Sequence, residues 1–204
     1  MNVTEPNGAA WHARGQGFES PYLHQKSVTQ TIDLKKTTLG DSSDVIPCFT
    51  YKYYFKSGHV NVGTKTFRTA GSAITNYPAQ QLAQGRAKNT ATNTFYKQAV
   101  RIMKRVENAM VVDDVHTEVP SYFIECLLFN CPNELFGKAT WTATIKGLIF
   151  HIWDSLEGDE PDDVDLRWVE VNHCKWLFHS AQKWSRQDGR AFAKAAWNYL
   201  GLAS

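Results

Sequence analysis

An α+β fold, with a small antiparallel sheet followed by an all-helical region, is what three features of this sequence predict. Around Tyr51, Tyr53 and Phe55 the aromatic residues alternate with Lys52, Tyr54 and Lys56, the period-two signature of a strand. From Pro78 onward the apolar residues recur at helical spacing, most clearly at Phe95, Ala99, Ile102, Met103, Val106 and Met110. Two or three strands bury too little apolar surface to stand alone, so helices must cover the sheet.

The elements follow in order. Residues 1–26 hold no sustained periodicity and are rich in Gly, Pro, His, Asn and Gln, which predicts a poorly ordered N-terminal segment. Within it, Phe18-Glu19-Ser20 between Gly17 and Pro21 matches the translation of a transfer RNA T-arm, so this stretch is expected not to be evolved protein. Val28, Gln30, Ile32 and Leu34 share one side of an alternating segment and predict a strand over 27–36. A turn at Leu39-Gly40-Asp41-Ser42 leads to a second strand over 44–55, and Gly58 and Gly63 bracket a short strand over 60–62. The sheet region is thus expected over 27–77 and the helical region over 78–204. Pro120-Ser121 suits a helix start, a helix is expected over 139–156, and two more over 172–185 and 188–200. Between them, 158–163 reads as an acidic loop.

Length and composition narrow the classes. A chain of 204 residues is one domain, or one and a half, and its net charge of +2 makes no bulk case for nucleic acid; any basic patch must be local. No apolar run approaches the roughly 20 residues needed to span a bilayer, so no membrane is expected as partner. Cys48, Cys126, Cys131 and Cys174 have neither zinc-ligand nor disulfide-framework spacing. Reduced thiols, and with them a cytoplasmic location, are the expectation.

Four groups bear candidate chemistry. Asp44 opens the apolar run Val45-Ile46, where a carboxylate at a strand end either holds part of a metal shell or serves a turn. Lys97 and Arg101 share a helical face that either clamps phosphate or is solvated, and with Lys104 and Arg105 they would form the surface of a binding module. Ser121 at a helix start offers a hydroxyl and N–H groups to an anion, or is an N-cap. Tyr122 behind it is a stacking ring or a core aromatic.

The combination resembles a family. SDVIPCFTYKYY (43–54), NYPAQQLAQGRAKNTATNTFYKQAVRIMKRV (76–106), VPSYFIECLLFNCPN (119–133) and LFHSAQKWSRQDGRAFAKAAWNYL (177–200) resemble bacterial nucleotidyltransferases that make cyclic di- and trinucleotide signals. These belong with cyclic GMP-AMP synthase and oligoadenylate synthetase in the polymerase-β-like superfamily. The resemblance covers roughly 27–202 and makes the sheet a remnant of the nucleotidyltransferase palm. It implies that Asp44 is the third metal-binding carboxylate, which helps activate the attacking hydroxyl with Mg²⁺. It gives Lys97 the donor triphosphate, with Arg101 and Lys104 as alternatives, Ser121 as that lysine's partner, and Tyr122 as the ring that stacks on the base. Nucleoside triphosphates (ATP/GTP class) are the implied substrates.

The departure from the pattern sets the functional expectation. Such enzymes have a Gly-Ser motif followed by two carboxylates one residue apart, and neither precedes Asp44. Asp163-Val164-Asp165 lies in the acidic loop and reads as a solvated charge run. Two-metal phosphoryl transfer needs ions clamped by shared carboxylates. The chain alone is therefore expected to be catalytically incomplete: a C-terminal fragment of such a synthase, half of a split enzyme whose missing N-terminal half is another polypeptide, or a helical module that binds nucleotide, nucleic acid or protein without chemistry.

Overall fold

The computed structural model describes residues 32–34, 43–45, 48–55, 57–67, 72–180 and 182–202. The readings for 1–26, the turn at 39–42 and the outer parts of the strand over 27–36 lie outside those residues. The chain forms two compact units that divide between Ala79 and Gln80.

In the first unit, β1 (Ile32–Leu34) and β2 (Ser43–Val45) make an antiparallel ribbon in which Asp33 pairs with Asp44. A second antiparallel sheet has the order β3-β4-β5, from β3 (Phe49–Tyr54), β4 (Val60–Phe67) and β5 (Ala73–Asn76). The single strand expected over 44–55 is thus two strands in different sheets. Between them the sequence contains Pro47, which has no N–H for a ladder. The alternation expected in β3 is present: Phe49, Tyr51 and Tyr53 are half-buried and the residues between them exposed.

Strand β4 runs past Gly63, which was expected to end it. Gly63 is central because a Cβ there would collide with the Asn76 carbonyl oxygen and the Tyr77 ring. A close approach of backbones, not a turn, is what this glycine serves. Lys65, paired with Phe49, is buried with its ammonium over the Tyr51 and Phe67 rings at 5.7 and 5.4 Å. Four-residue β5 has too short an apolar pattern to be read in advance.

The second unit holds α1 (Pro78–Ala91), α2 (Phe95–Val112), α3 (Ser121–Phe129), α4 (Trp141–Ser155) and α5 (Arg186–Tyr199). Pro78 occupies the first helical position, where its missing N–H costs nothing. Helix α3 buries Phe123, Ile124, Cys126, Leu127, Leu128 and Phe129 and is the centre of the core. A helix apolar on nearly every side must be surrounded. Against it α2 sets Tyr96, Ala99, Met103 and Met110, and α4 and α5 add Leu148, Ile149, Ile152, Phe192 and Ala196 to the same core. Thr140 caps α4 by accepting the Ala143 N–H at 3.1 Å, and Ser185 and Asp188 form a reciprocal capping box on α5.

The helix expected over 172–185 is absent. Val169 and Trp176 instead form a β-bridge across a tight turn, in which His173 takes a left-handed φ of 55°. The Glu170 N–H donates to the Lys175 carbonyl at 2.9 Å, and the Leu177 N–H to Trp168 at 2.8 Å. A buried carboxylate at Glu170 organises this turn and overrides the apolar spacing of Trp176, Leu177 and Phe178.

Candidate functional site

Helices α2 and α3 run antiparallel and meet through polar side chains as well as apolar ones. Buried Glu107 on α2 accepts the Val119 N–H at 3.2 Å and fixes the entry into α3. Lys104 lies 3.7 Å from Glu125 on α3, and the Tyr96 hydroxyl donates to the Glu125 carbonyl at 3.3 Å. Ser121 lies one helical turn before Glu125 on α3, in the stretch between the residues that meet Glu107 and Lys104.

Lys97 and Arg101 are exposed, and neither is in an ion pair among the described residues. At 1.5 Å of rise per residue, Lys97 sits roughly 10 Å further from the Ser121 level than Lys104 does. Of the basic residues on α2, Lys104 is the one the fold brings across to α3. Its pairing with Glu125 is a quarter to a third exposed and so weak, on the order of 1 kcal/mol or less.

The N-cap of α3 is Pro120, whose carbonyl accepts the Phe123 N–H at 2.8 Å, while Ser121 is the first helical residue. The N-cap reading of Ser121 is corrected accordingly: its hydroxyl makes no hydrogen bond to a described residue and faces solvent. The first N–H groups of a helix lack internal partners and attract negative charge. Lys104 thus meets α3 at Glu125, one turn beyond the hydroxyl of Ser121 and the helix N-terminus.

Tyr122 is half-buried, with its hydroxyl turned inward. It donates to Glu170 Oε2 at 3.2 Å, and the Asn172 side-chain amide donates to both, at 3.1 Å to the hydroxyl and 2.6 Å to the carboxylate. Gln182 donates to the other Glu170 oxygen. Burial, then the neighbouring Cys126 and Glu170, push the Tyr122 hydroxyl well above its ordinary range, so it is a donor at all working pH. At the far end of α3, Asn130 clamps Val169 by two hydrogen bonds of 2.8 and 2.9 Å. The turn is riveted to both ends of α3. Sequence reasoning missed Glu170, Asn172 and Gln182: the two amides fall where a helix was expected, over 172–185, and Glu170 lies just ahead of it; the acid inside an apolar stretch, Trp168-Val169-Glu170-Val171, was the available signal.

Asp44 lies in the other unit, in β2, opposite Asp33; side-chain positions there are outside the described residues. The pairing with Asp33 was not foreseen either. Asp163 accepts the Asp165 N–H at 3.0 Å and simply closes a local turn. Among the described residues no three His, Cys, Asp or Glu side chains gather in a way that could hold a metal ion. No helix among the described residues is long and apolar enough to cross a membrane.

Comparison with known proteins gives one consistent answer. Residues 83–201 match the cGAS/DncV-like nucleotidyltransferase C-terminal helical domain. The cyclic dipurine nucleotide synthase of Elizabethkingia meningoseptica is 34% identical over 164 residues, covering 78% of this chain and 54% of that protein. The cyclic dipyrimidine nucleotide synthase CdnE of Cecembia lonarensis is 30% identical over 172 residues, covering 83% and 57%. The chain spans a little over half the length of these curated relatives. Among solved structures, E. meningoseptica CdnE cyclic dinucleotide synthase with GTP and Apcpp superposes with a TM-score of 0.74 at 31% identity, over 85% of this chain and 63% of that one. The Rhodothermus marinus CdnE c-UMP-AMP synthase with Apcpp and Upnpp gives 0.70 at 25% identity, over 85% and 59%. The α+β architecture of a three-stranded antiparallel sheet and five helices matches those structures, and the chain belongs to the family of the cGAS/DncV-like nucleotidyltransferase C-terminal helical domain.

Proposed function

We propose that this chain is the donor-binding part of a nucleotidyltransferase that joins nucleoside triphosphates into cyclic or linear oligonucleotide signals. The observation that carries the reading is Lys104 reaching α3 at Glu125, one turn from Ser121 at that helix's N-terminus. Relatives of this fold have been solved with triphosphates or their analogues.

In this reading Lys104 exchanges Glu125 for the triphosphate, Ser121 donates its hydroxyl, and the N–H groups of the first turn of α3 add fixed positive dipoles. Fixed cations and dipoles stabilise charge without reorganising, which is what a leaving pyrophosphate needs. Lys97 and Arg101 line the approach and raise the local concentration of an anionic ligand. Tyr122 presents its ring to the base. Lys104 replaces Lys97 as first choice for the phosphate contact, because Lys97 sits two turns away from Ser121.

Asp44 is the single carboxylate carried over for metal binding. Catalysis by the 204 residues alone is not expected, and the remaining carboxylates belong to a further stretch of palm, on this or a separate polypeptide. Mg²⁺ would arrive with them. Equilibrium titration of the chain with Apcpp tests the binding, and incubation with labelled triphosphates and Mg²⁺ tests the inactivity. Saturable binding without pyrophosphate release is expected. Steady pyrophosphate release overturns the inactivity, and absence of Apcpp binding overturns the reading.

The exposed Lys97, Arg101 and Arg105 support one second reading, a basic helix face that binds nucleic acid. Affinity for single-stranded RNA that falls steeply with salt and ignores Ser121→Ala would favour it.

A further inference from the structure

Glu170 is 4% exposed, and Asn172 is equally buried. Both are bonded to Tyr122, the residue next to Ser121. A buried carboxylate is tolerated only when donors surround it, and here there are three: the Tyr122 hydroxyl and the side-chain amides of Asn172 and Gln182. Asn172 is itself fixed, its carbonyl oxygen accepting the Cys174 N–H at 2.7 Å. This arrangement goes further than holding α3 in place. Asn130 already ties α3 to the turn at Val169, and Trp184 stacks on Phe123 at 5.1 Å while donating its N–H to the Leu177 carbonyl at 2.9 Å. What the Glu170 cluster adds is control of one side chain: a hydroxyl anchored by two partners cannot swing, so the half-buried ring is held at one angle.

Resting on the donor-site reading above, we propose that Glu170 and Asn172 are positioning residues that lock the Tyr122 ring as a preformed platform for a nucleotide base. Preformed stacking surfaces save the cost of immobilising a side chain on binding. Any base has a π-face, so the platform recognises nucleoside triphosphates as a class and leaves the choice among bases to other contacts.

The prediction separates base from phosphate. Apcpp and inorganic triphosphate share the phosphates, and only Apcpp has a base. In the 204-residue chain, Glu170→Gln and Tyr122→Phe should each weaken Apcpp about tenfold, the scale of one lost stacking contact. Affinity for inorganic triphosphate should stay at the wild-type value. Tyr122→Phe keeps the ring and removes only the anchor, so it decides the matter should Glu170→Gln fail to fold. Equal loss for both ligands overturns the proposal, because α3 as a whole has then shifted. Unchanged Apcpp binding in Tyr122→Phe also overturns it and leaves the donor-site reading standing. A wild-type chain that binds inorganic triphosphate no more weakly than Apcpp overturns the platform alone, and one that binds neither overturns the donor site together with it.

Discussion

Lys104 on α2 and Glu125 on α3 lie 3.7 Å apart with each side chain about a quarter to a third exposed (30% and 26%). Such a pair contributes little to folding and is easily exchanged. Glu125→Gln should therefore leave the urea midpoint nearly unchanged while tightening Apcpp binding, since it removes both the competitor for Lys104 and a negative charge near the phosphates. Side-by-side denaturation and titration check this. A large loss of stability would mean that the ion pair is structural.

Burial lowers His151, His173 and His179 below the ordinary 6.5, in each case as the leading cause. The folded state prefers the neutral ring, and the unfolded chain takes up protons first as pH falls. Stability is therefore full above about pH 6.5 and lost as the pH drops through the lower folded values. The urea midpoint should fall between about pH 7.5 and about pH 5.5. Replacing His173 by Asn, which accepts the left-handed φ of 55°, should flatten that fall.

Gly189 lets α5 approach the core closely. A Cβ there would stand 2.7 Å from Leu156 Cδ1 and 3.1 Å from Leu127 Cδ2. Both leucines are buried and hemmed in, so Gly189→Ala should cost about 1–3 kcal/mol of overpacking, outweighing the helix-propensity gain of about 1 kcal/mol. Ser185→Ala removes the cap of the same helix and should cost about 1 kcal/mol. Urea denaturation measures both.

The four cysteines should divide by reactivity. Cys48 is exposed; Cys126 and Cys131 are buried. Burial pushes the Cys131 thiol up to about 12 and lifts Cys126 well above its usual range, and Cys174, half-buried, also rises to about 12. Thiolate is the reactive form. The native chain should give one fast equivalent with a disulfide reagent and four once denatured, and Cys48→Ser should abolish the fast one.

How legible this was in the sequence depended on what organises each segment. The stripe of α2, the start of α3 behind Pro120 and the alternation in β3 were readable, because local spacing and burial agree there. Where a long-range contact governs, reading failed. Gly63 looked like a turn until Asn76 and Tyr77 were placed beside it. The stretch over 172–185 looked helical because Trp, Leu and Phe fall at suitable intervals. Glu170, bonded to a tyrosine 48 positions earlier, cannot be inferred from neighbours in sequence. Lys97, Arg101 and Lys104 are equivalent as a spacing pattern, and only the packing of α2 on α3 shows that Lys104 is the one that pairs with Glu125.

Apcpp affinity of Lys104→Ala, set beside Lys97→Ala and Ser121→Ala at one fixed ionic strength, tests the donor site most directly. A charge-assisted phosphate contact contributes about 1.5–3 kcal/mol, so Lys104→Ala and Ser121→Ala should each weaken binding about tenfold or more, and Lys97→Ala far less. Wild-type affinity in Lys104→Ala, or a larger loss in Lys97→Ala, would contradict the placement of the triphosphate between α2 and α3.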